Sequence, residues 1–442
     1  MTRAMLVASM ALLLPALAAA GMAEQVNRKK IDGIDLIAYP TAIKDVVTLS
    51  GALPAGEALA AAQHSNVAVA ILTAMMLDRG TTEEDKFAIA KQLEGVGASL
   101  HFSVQDQSLQ IQARCLKQDL PLLIELLAQQ LRMPAFSPAE FEKARQQLIG
   151  ELKNAMDEVQ ERSAEAFTRA VFPSGHPNYE PGVDEYLSAA QSLTLDEVKA
   201  FYHKHYGPEH MTLVLVGDVS MARIQGPIAS AFRGWKGGVD YLRDAQPANS
   251  SEPQEHRITV QIPGKTSAVL AIGQSTGLRY KDPDTLPLQI GTAILGSGFT
   301  GRLMHAVRDK EGLTYGISAA VEDDNFADGS WQITGSFAPQ LLERGTASAQ
   351  RELNHWWADG VSEDELAARK TNLIGTYQVG LANTSGMART LLLTVLRGRD
   401  MTWLDQYPKA VDATTLRQVN TAIKQYLNPS KMVVVKTGTI AN

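Results

Sequence analysis

Arg308 and Tyr315 are the side chains of this sequence whose types and spacing best suit the binding of carbonyl oxygens. They follow a loop that contains Gly296, Gly298 and Gly301. An arginine presents a planar fork of N–H donors and a tyrosine a phenolic O–H, which suit backbone carbonyls or a developing oxyanion. Spacing alone favours a simpler alternative, in which Arg308 is a surface residue and Tyr315 a half-buried core residue.

The elements around this pair can be predicted from local pattern. Clustered glycines permit positive φ and close approach of another backbone. Residues 303–309 are predicted to form a helix because their apolar side chains recur at i, i+3 and i+4. Gly312 stands where a helix C-cap is expected, and residues 313–320 are predicted to form a strand. Arg308 is thus expected at a helix end and Tyr315 near the start of a strand, so both can point into one space.

The run from Arg302 to Ser318 resembles the C-terminal-half signature of the insulinase-type (pitrilysin-like) zinc peptidases, which include mitochondrial processing peptidase and its bacterial relatives. In that family an arginine and a tyrosine seven residues apart, after a glycine-rich loop, help to bind the substrate peptide opposite the zinc. The resemblance implies this role for Arg308 and Tyr315, with the preceding glycine loop as a substrate-binding loop. Residues 172–179 and 201–219 also resemble the family, so that the likeness spans nearly the whole mature chain.

The zinc motif of the family is missing from the first half. Active members carry H-x-x-E-H on a helix, with a further glutamate downstream as the last ligand, and the motif runs on to a Gly-Thr pair. Here that pair is residues 80–81, and counting back places Ile71 and Met75 at the histidine positions and Ala74 at the catalytic glutamate. Glu151 matches the downstream glutamate, but one carboxylate does not hold zinc. We therefore interpret Glu151 as an exposed helix residue.

The other candidate ligands and nucleophiles do not form a second site. None of the nine histidines belongs to H-x-x-E-H or its inverted form. His203 and His205 are two residues apart, so on a helix they point about 200° apart, and we predict that they are solvated or capping residues. Cys115 is the single cysteine, which excludes an intrachain disulfide and a thiolate metal site and predicts a small buried hydrophobe. The sequence contains no G-x-S-x-G, no P-loop and no Cys/His pair, so a self-sufficient hydrolase with another catalyst is disfavoured. No cofactor is expected in this chain.

Residues 1–23 have the composition of a secretory signal peptide, with one early cation, a short apolar run and small residues after it. Cleavage after Ala20 and cleavage after Ala23 fit the small-residue pattern of signal-peptide cleavage sites equally well. The apolar run is too short to span a membrane, so we expect a soluble protein in the periplasm or otherwise exported. The net charge of −7 argues against nucleic acid or an anionic membrane surface as a partner.

Two weak internal matches indicate a tandem duplication. Residues 148–150 and 373–375 are both Leu-Ile-Gly, and the segment from Tyr206 matches the segment from Tyr426 at nearly the same offset. We predict a first peptidase-like half over residues 24–236, a linker over 237–256 and a second half over 257–442. Strands and helices alternate similarly in both, which predicts an α+β fold in which each half is a mostly antiparallel sheet covered by helices on one side. The resemblance implies that the halves face each other across a cleft.

In the insulinase-type family, a chain without zinc ligands but with the Arg/Tyr pair occurs in two-chain enzymes. The resemblance therefore predicts a non-catalytic, activity-completing subunit of an exported zinc metalloendopeptidase. Its partner would be a homologous subunit that bears H-x-x-E-H and holds the zinc, and its substrate a peptide. The alternative is a purely structural or binding homologue, like the peptidase-derived core subunits of respiratory complexes.

Overall fold

The structure, a computed structural model, describes residues 21–62, 65–243 and 257–440. Residues 1–20 of the predicted signal peptide and residues 244–256 of the predicted linker lie outside the described residues. Across the described ranges, no helix combines the length and the apolar character that crossing a membrane requires.

The first half is built on a six-stranded sheet in the order β1-β2-β6-β3-β5-β4. Its strands are β1 (Asn27–Ile31), β2 (Ile34–Pro40), β3 (Val46–Leu53), β4 (Ser99–Gln105), β5 (Ser108–Leu116) and β6 (Thr212–Gly217). Its helices are α1 (Glu57–Ala62), α2 (Val69–Leu77), α3 (Lys86–Gly95), α4 (Leu120–Arg132), α5 (Pro138–Ala155), α6 (Val159–Val171), α7 (Val183–Ser192), α8 (Leu195–His205) and α9 (Met221–Ala231).

The second half is built on a five-stranded sheet in the order β7-β11-β8-β10-β9. Its strands are β7 (Arg257–Gln261), β8 (Ala268–Ser275), β9 (Thr314–Glu322), β10 (Ser330–Phe337) and β11 (Val433–Gly438). Its helices are α10 (Thr285–Gly296), a π-helical turn (Met304–Lys310), α11 (Leu342–Asp359), α12 (Glu363–Leu381), α13 (Thr384–Leu396), α14 (Trp403–Ala413) and α15 (Leu416–Tyr426). Short 3₁₀ turns lie at Ala23–Gln25, Lys117–Asp119, Pro339–Leu341 and Pro429–Lys431.

The two sheets share one topology, which supports the predicted duplication. If β1 is set aside, β2 to β6 follow the same spatial order as β7 to β11. Each sheet contains one parallel pair, β2 with β6 and β7 with β11, and its other pairs are antiparallel. Gly217 and Gly438 end the matching strands β6 and β11, both with a φ of +133°. The predicted α+β class with two mostly antiparallel sheets is confirmed.

Equivalent helices begin with equivalent caps. Thr194 and Glu197 form a capping box at the start of α8, and Thr415 with Gln418 forms the same box at α15. Each box satisfies two backbone N–H groups that the first turn of a helix leaves without partners. The same local chemistry therefore sets the start of the corresponding helix in both halves.

One helix of each half packs on the sheet of the other half. Helix α6 lies on β8 and β11, where Phe167 and Val171 form a cluster with Val435. Helix α13 lies on β3 and β6, where Leu391 packs in a cluster with Val214. From the sequence, helices are expected on one side of each sheet. The exchanged helices bury the second face, which accounts for the fully buried strand β6.

Polar contacts also join the halves. The Nε2 atom of His176 lies 2.9 Å from Oδ1 of Asp328, and both side chains are nearly fully buried. The amide of Asn178 donates to the carbonyl oxygens of Asp323 and Asp328. Residues 172–179, which resemble a family segment, thus bind the turn between β9 and β10. At the start of the predicted linker, Tyr241 is buried and stacks on Phe326, with ring centroids 4.6 Å apart.

The exchanged helix α13 generates a test of this architecture. Leu391 is fully buried, so Leu391→Ala removes apolar contacts and leaves a cavity between α13 and the first sheet. We expect it to lower the free energy of unfolding by about 2–5 kcal/mol, as measured by urea denaturation. Val379→Ala is the control, because Val379 on the neighbouring helix α12 is 73% exposed and its truncation should change little. Equal stability of the two variants would contradict the exchanged packing.

Candidate functional site

The glycine loop joins α10 to the π-helical turn and packs tightly on strand β9. A Cβ atom on Gly296 would lie 2.2 Å from the backbone nitrogen of Ala319, so no larger residue fits there without a shift. Gly298 has a φ of +67°, which L side chains rarely adopt. Gly301 is buried, and its N–H donates to the carbonyl oxygen of Gly298 at 3.3 Å. The loop is therefore a tight turn held against the strand that carries Tyr315.

Two arginines whose roles were not predicted from the sequence attach this loop to α12. Arg369 is 6% exposed and donates to the carbonyl oxygen of Ser297 at 3.1 Å and to Oγ1 of Thr300 at 3.4 Å. Arg302, just after the loop, forms a bidentate pair with Glu365 at 2.6 and 2.7 Å. The hydrogen bonds from Arg302 lower the pKa of Glu365 to about 2. A buried arginine has no local pattern, so the tertiary structure was needed to find these contacts.

The segment that carries Arg308 is helical, as predicted, but it has π-type geometry over Met304–Lys310. The turn ends at Gly312, which has a φ of +64°. The Gly312 N–H donates to the Arg308 carbonyl at 2.9 Å, and the Leu313 N–H donates to the Val307 carbonyl at 2.9 Å. Single π-helical turns occur frequently at functional sites. The chain then enters β9 immediately, which brings Arg308 and Tyr315 together.

Arg308 and Tyr315 are neighbours in the structure. The guanidinium carbon of Arg308 lies 5.4 Å from the ring centroid of Tyr315 and 5.1 Å from that of Phe299. Tyr315 is 88% exposed, so the alternative of a half-buried core tyrosine is wrong. Within the part of the chain that the structure describes, Arg308 forms no ion pair and the Tyr315 hydroxyl no hydrogen bond. Both groups can therefore bind a ligand from solvent.

The position of the family's zinc motif lies on α2 and is apolar. Ala74 is 5% exposed, and Ile71 and Met75 are partly buried against the core of the first half. Glu151 is an exposed residue of α5 and accepts a hydrogen bond from the Gln147 amide at 2.9 Å. Zinc in catalytic sites takes three protein ligands from nitrogen, oxygen or thiolate sulfur, so these residues do not fit the metal. In residues 21–62, 65–243 and 257–440, no group of three or more His, Cys, Asp or Glu side chains could hold a metal ion.

The two neighbouring histidines have different environments, and the prediction for one of them is wrong. His203 is exposed, as predicted, but His205 is fully buried and its ring stacks on Phe201 at 4.2 Å. Burial lowers the pKa of His205 to about 4. His205 lies on the buried, apolar face of α8, so it is a core residue and neither a ligand nor a cap. Cys115 is buried as predicted, and burial raises its pKa to about 12.

Known proteins resemble this chain in both sequence and fold. The family model described as Insulinase (Peptidase family M16) matches residues 61–179, and the one described as Peptidase M16 inactive domain matches residues 192–373, which together make up more than half of the chain. A protein of Streptomyces coelicolor named an uncharacterized zinc protease is 25% identical over 325 residues, covering 71% of this chain and 68% of that protein. The non-peptidase homolog YmxG of Helicobacter pylori is 21% identical over 365 residues, covering 82% of each.

A solved structure shows the same fold. The peptidase M16 inactive domain from Pseudomonas fluorescens has a TM-score of 0.85 to this chain at 23% sequence identity, covering 94% of this chain and 98% of that one. The agreement extends over both halves, and the two family models match on either side of residues 180–191. The chain belongs to the insulinase family, peptidase family M16.

Proposed function

We propose that this protein is the non-catalytic, activity-completing subunit of an exported two-chain zinc metalloendopeptidase. The observation that carries the proposal is the pairing of Arg308 with Tyr315 at an accessible surface, in a chain whose α2 lacks metal ligands. A cation and a phenol that form no ion pair and no hydrogen bond with other described side chains suit a bound peptide better than a role in packing.

The proposed roles follow from the chemistry of the two groups. Tyr315 donates its O–H to the oxygen of the scissile carbonyl, which gains negative charge as the peptide bond is attacked. Arg308 holds a nearby backbone carbonyl of the substrate through its planar fork of donors. Gly296, Gly298 and Gly301 form the loop beside this pair and let the substrate backbone approach. The metal and the attacking water are assigned to the partner, because Ile71, Ala74 and Met75 do not fit them.

The proposed partner is a homologous subunit with H-x-x-E-H, and the complex would be a heterodimer. Relatives of this chain include proteins named as zinc proteases and one named as a non-peptidase homolog, which supports a pairing of these two kinds of chain. Export to the periplasm is proposed from the signal-peptide composition of residues 1–23. The proposed organisation of the mature chain is one half over 24–236 and one over 257–442, with residues 237–256 between them.

A purely structural homologue is the alternative function. It accounts for the apolar zinc position as well as the leading proposal does. It gives no reason for an 88% exposed tyrosine placed beside an arginine that has no acidic partner among the described residues. We therefore prefer the enzyme-subunit function, and the kinetic test below separates the two.

The first test of the proposal is metal content. We expect the purified mature chain to bind no stoichiometric zinc and to cleave no peptide by itself, because α2 presents apolar side chains where ligands are needed. Inductively coupled plasma mass spectrometry of the purified chain measures the zinc. One zinc per chain, lost together with peptidase activity on chelation, would contradict the proposal.

The second test is assembly. The chain, mixed with an H-x-x-E-H homologue from the same organism, should form a one-to-one complex and restore cleavage of an unstructured peptide. Size-exclusion chromatography with light scattering measures the complex, and a fluorogenic peptide measures its activity. Separate elution of the two chains, together with unchanged activity on mixing, would rule out the two-subunit enzyme.

The third test is kinetic and uses the reconstituted pair. Tyr315→Phe keeps the ring but removes the O–H, so kcat should fall about 10²–10³-fold while assembly is unchanged. Arg308→Ala should act mainly on kcat/KM, because a backbone clamp holds the substrate before and during reaction. Arg308→Lys should restore little, since an ammonium cannot reproduce the planar fork. Arg344→Ala is the control, because Arg344 is an exposed arginine on α11.

These kinetic results also decide between the two functions. Normal activity of both the Tyr315→Phe and the Arg308→Ala complexes would show that the pair is structural. The purely structural homologue would then be the preferred function.

A further inference from the structure

Phe299 is an exposed aromatic residue at the tip of the glycine loop. It is 74% exposed, although a phenylalanine ring gains free energy when it is removed from water. Its ring centroid lies 5.1 Å from the guanidinium carbon of Arg308. That distance is slightly shorter than the 5.4 Å between Arg308 and Tyr315. Arg308 thus contacts two exposed aromatic rings, one from the loop and one from β9.

The position of Phe299 is fixed by its neighbours in the loop. Arg369 donates to the carbonyl of Ser297 on one side of Phe299 and to the hydroxyl of Thr300 on the other. Gly298, just before it, holds the positive φ that turns the loop. Arg369 itself is buried in α12, which partly shields its guanidinium from competing water. The residues on both sides of Phe299 are therefore attached to α12, so the exposed ring is held in a defined position.

Arg308 needs such a support because no acidic side chain among the described residues orients it. A guanidinium on a long flexible side chain loses rotamer entropy when it is held in one place. An acidic partner usually supplies that restraint, but Arg308 has none among the described residues. A carboxylate would also occupy the N–H donors, whereas an aromatic face attracts the cation and leaves its donors free. Aromatic contacts thus restrain Arg308 while it remains able to bind a carbonyl oxygen.

We infer that Phe299 is a positioning residue that holds the Arg308 guanidinium beside Tyr315 in the orientation that binds the substrate. The inference deepens the proposed function and, for its kinetic consequences, rests on it. The glycine loop then has a second role, because it carries the aromatic ring that contacts Arg308.

Kinetics of the reconstituted pair provide the first measurement. Phe299→Leu keeps an apolar side chain but removes the aromatic face, and it should lower kcat/KM roughly two- to fivefold. Phe299→Trp keeps an aromatic face and should stay within about twofold of the parent. In the Arg308→Ala background, Phe299→Leu should cause no further loss, because there is no cation left to position. Independent, additive losses in the double variant would overturn the inference.

The matched control for these variants is Phe87→Leu. Phe87 is 72% exposed at the start of α3, and Nζ of Lys86 lies 5.3 Å from its ring centroid. The residue type, exposure and nearby cation are thus similar, but the site lies in the first half, away from Arg308. Phe87→Leu should leave kcat/KM unchanged. A loss equal to that of Phe299→Leu would mean that the effect comes from losing an exposed ring anywhere on the surface.

Nuclear magnetic resonance of the chain alone provides a measurement that does not depend on activity. An aromatic face close to a guanidinium shifts the Nε–Hε resonance, so the Arg308 signal should move toward the position of a solvated arginine in Phe299→Leu but not in Phe299→Trp. An Arg308 resonance that is unchanged in Phe299→Leu would overturn the inference even if activity fell. If instead Arg308→Ala and Tyr315→Phe proved fully active, the proposed function would fail, and the resonance would still decide whether Phe299 positions Arg308.

Discussion

Both sheets of this protein must be buried on two faces, and each half provides a helix for the other. Strand β6 is buried at every position, so one layer of helices cannot satisfy its sheet. Helix α13 covers β3 and β6 from the second half, while α6 covers β8 and β11 from the first. Apolar burial of this kind is the dominant favourable term in folding. Neither half has a complete core without the other.

The exchange also sets the geometry between the halves. Two domains joined only by a linker are expected to move relative to each other unless their interface is large and apolar. Here the reciprocal helices, the buried His176–Asp328 contact and the stacking of Tyr241 on Phe326 join them at several separate places. The strand with Tyr315 is therefore placed within a framework that both halves build.

The duplicated halves keep one topology but differ in the chemistry of equivalent places. Helices α2 and α10 occupy matching positions before the edge strands β4 and β9. In the first half, α3 follows α2, and the residues at the family's metal position are apolar. In the second half, a glycine loop and a π-helical turn replace that connection and bring Arg308 to Tyr315. The same scaffold thus carries an adjacent arginine and exposed tyrosine in one copy and apolar packing in the other.

The sequence by itself determined the features that depend on residue type and short spacing. The duplication, the α+β class, the capping box at Thr194 and the approach of Arg308 to Tyr315 across Gly312 all follow from contacts within a few residues or from repeated pattern. Residues 138–171 form two helices, α5 and α6, because α6 leaves α5 to reach the other sheet.

Tertiary structure alone decided which side chains are buried and which long-range contacts form. Tyr315 is exposed because β9 is an edge strand and its side chain points away from the core, which no local pattern reveals. His205 is buried because α8 turns its apolar face toward α2 and the core of the first half. Arg369 reaches the glycine loop from α12, a contact between residues about seventy positions apart. Periodicity reports the faces of a helix or strand, but only the packing of several elements determines what each face meets.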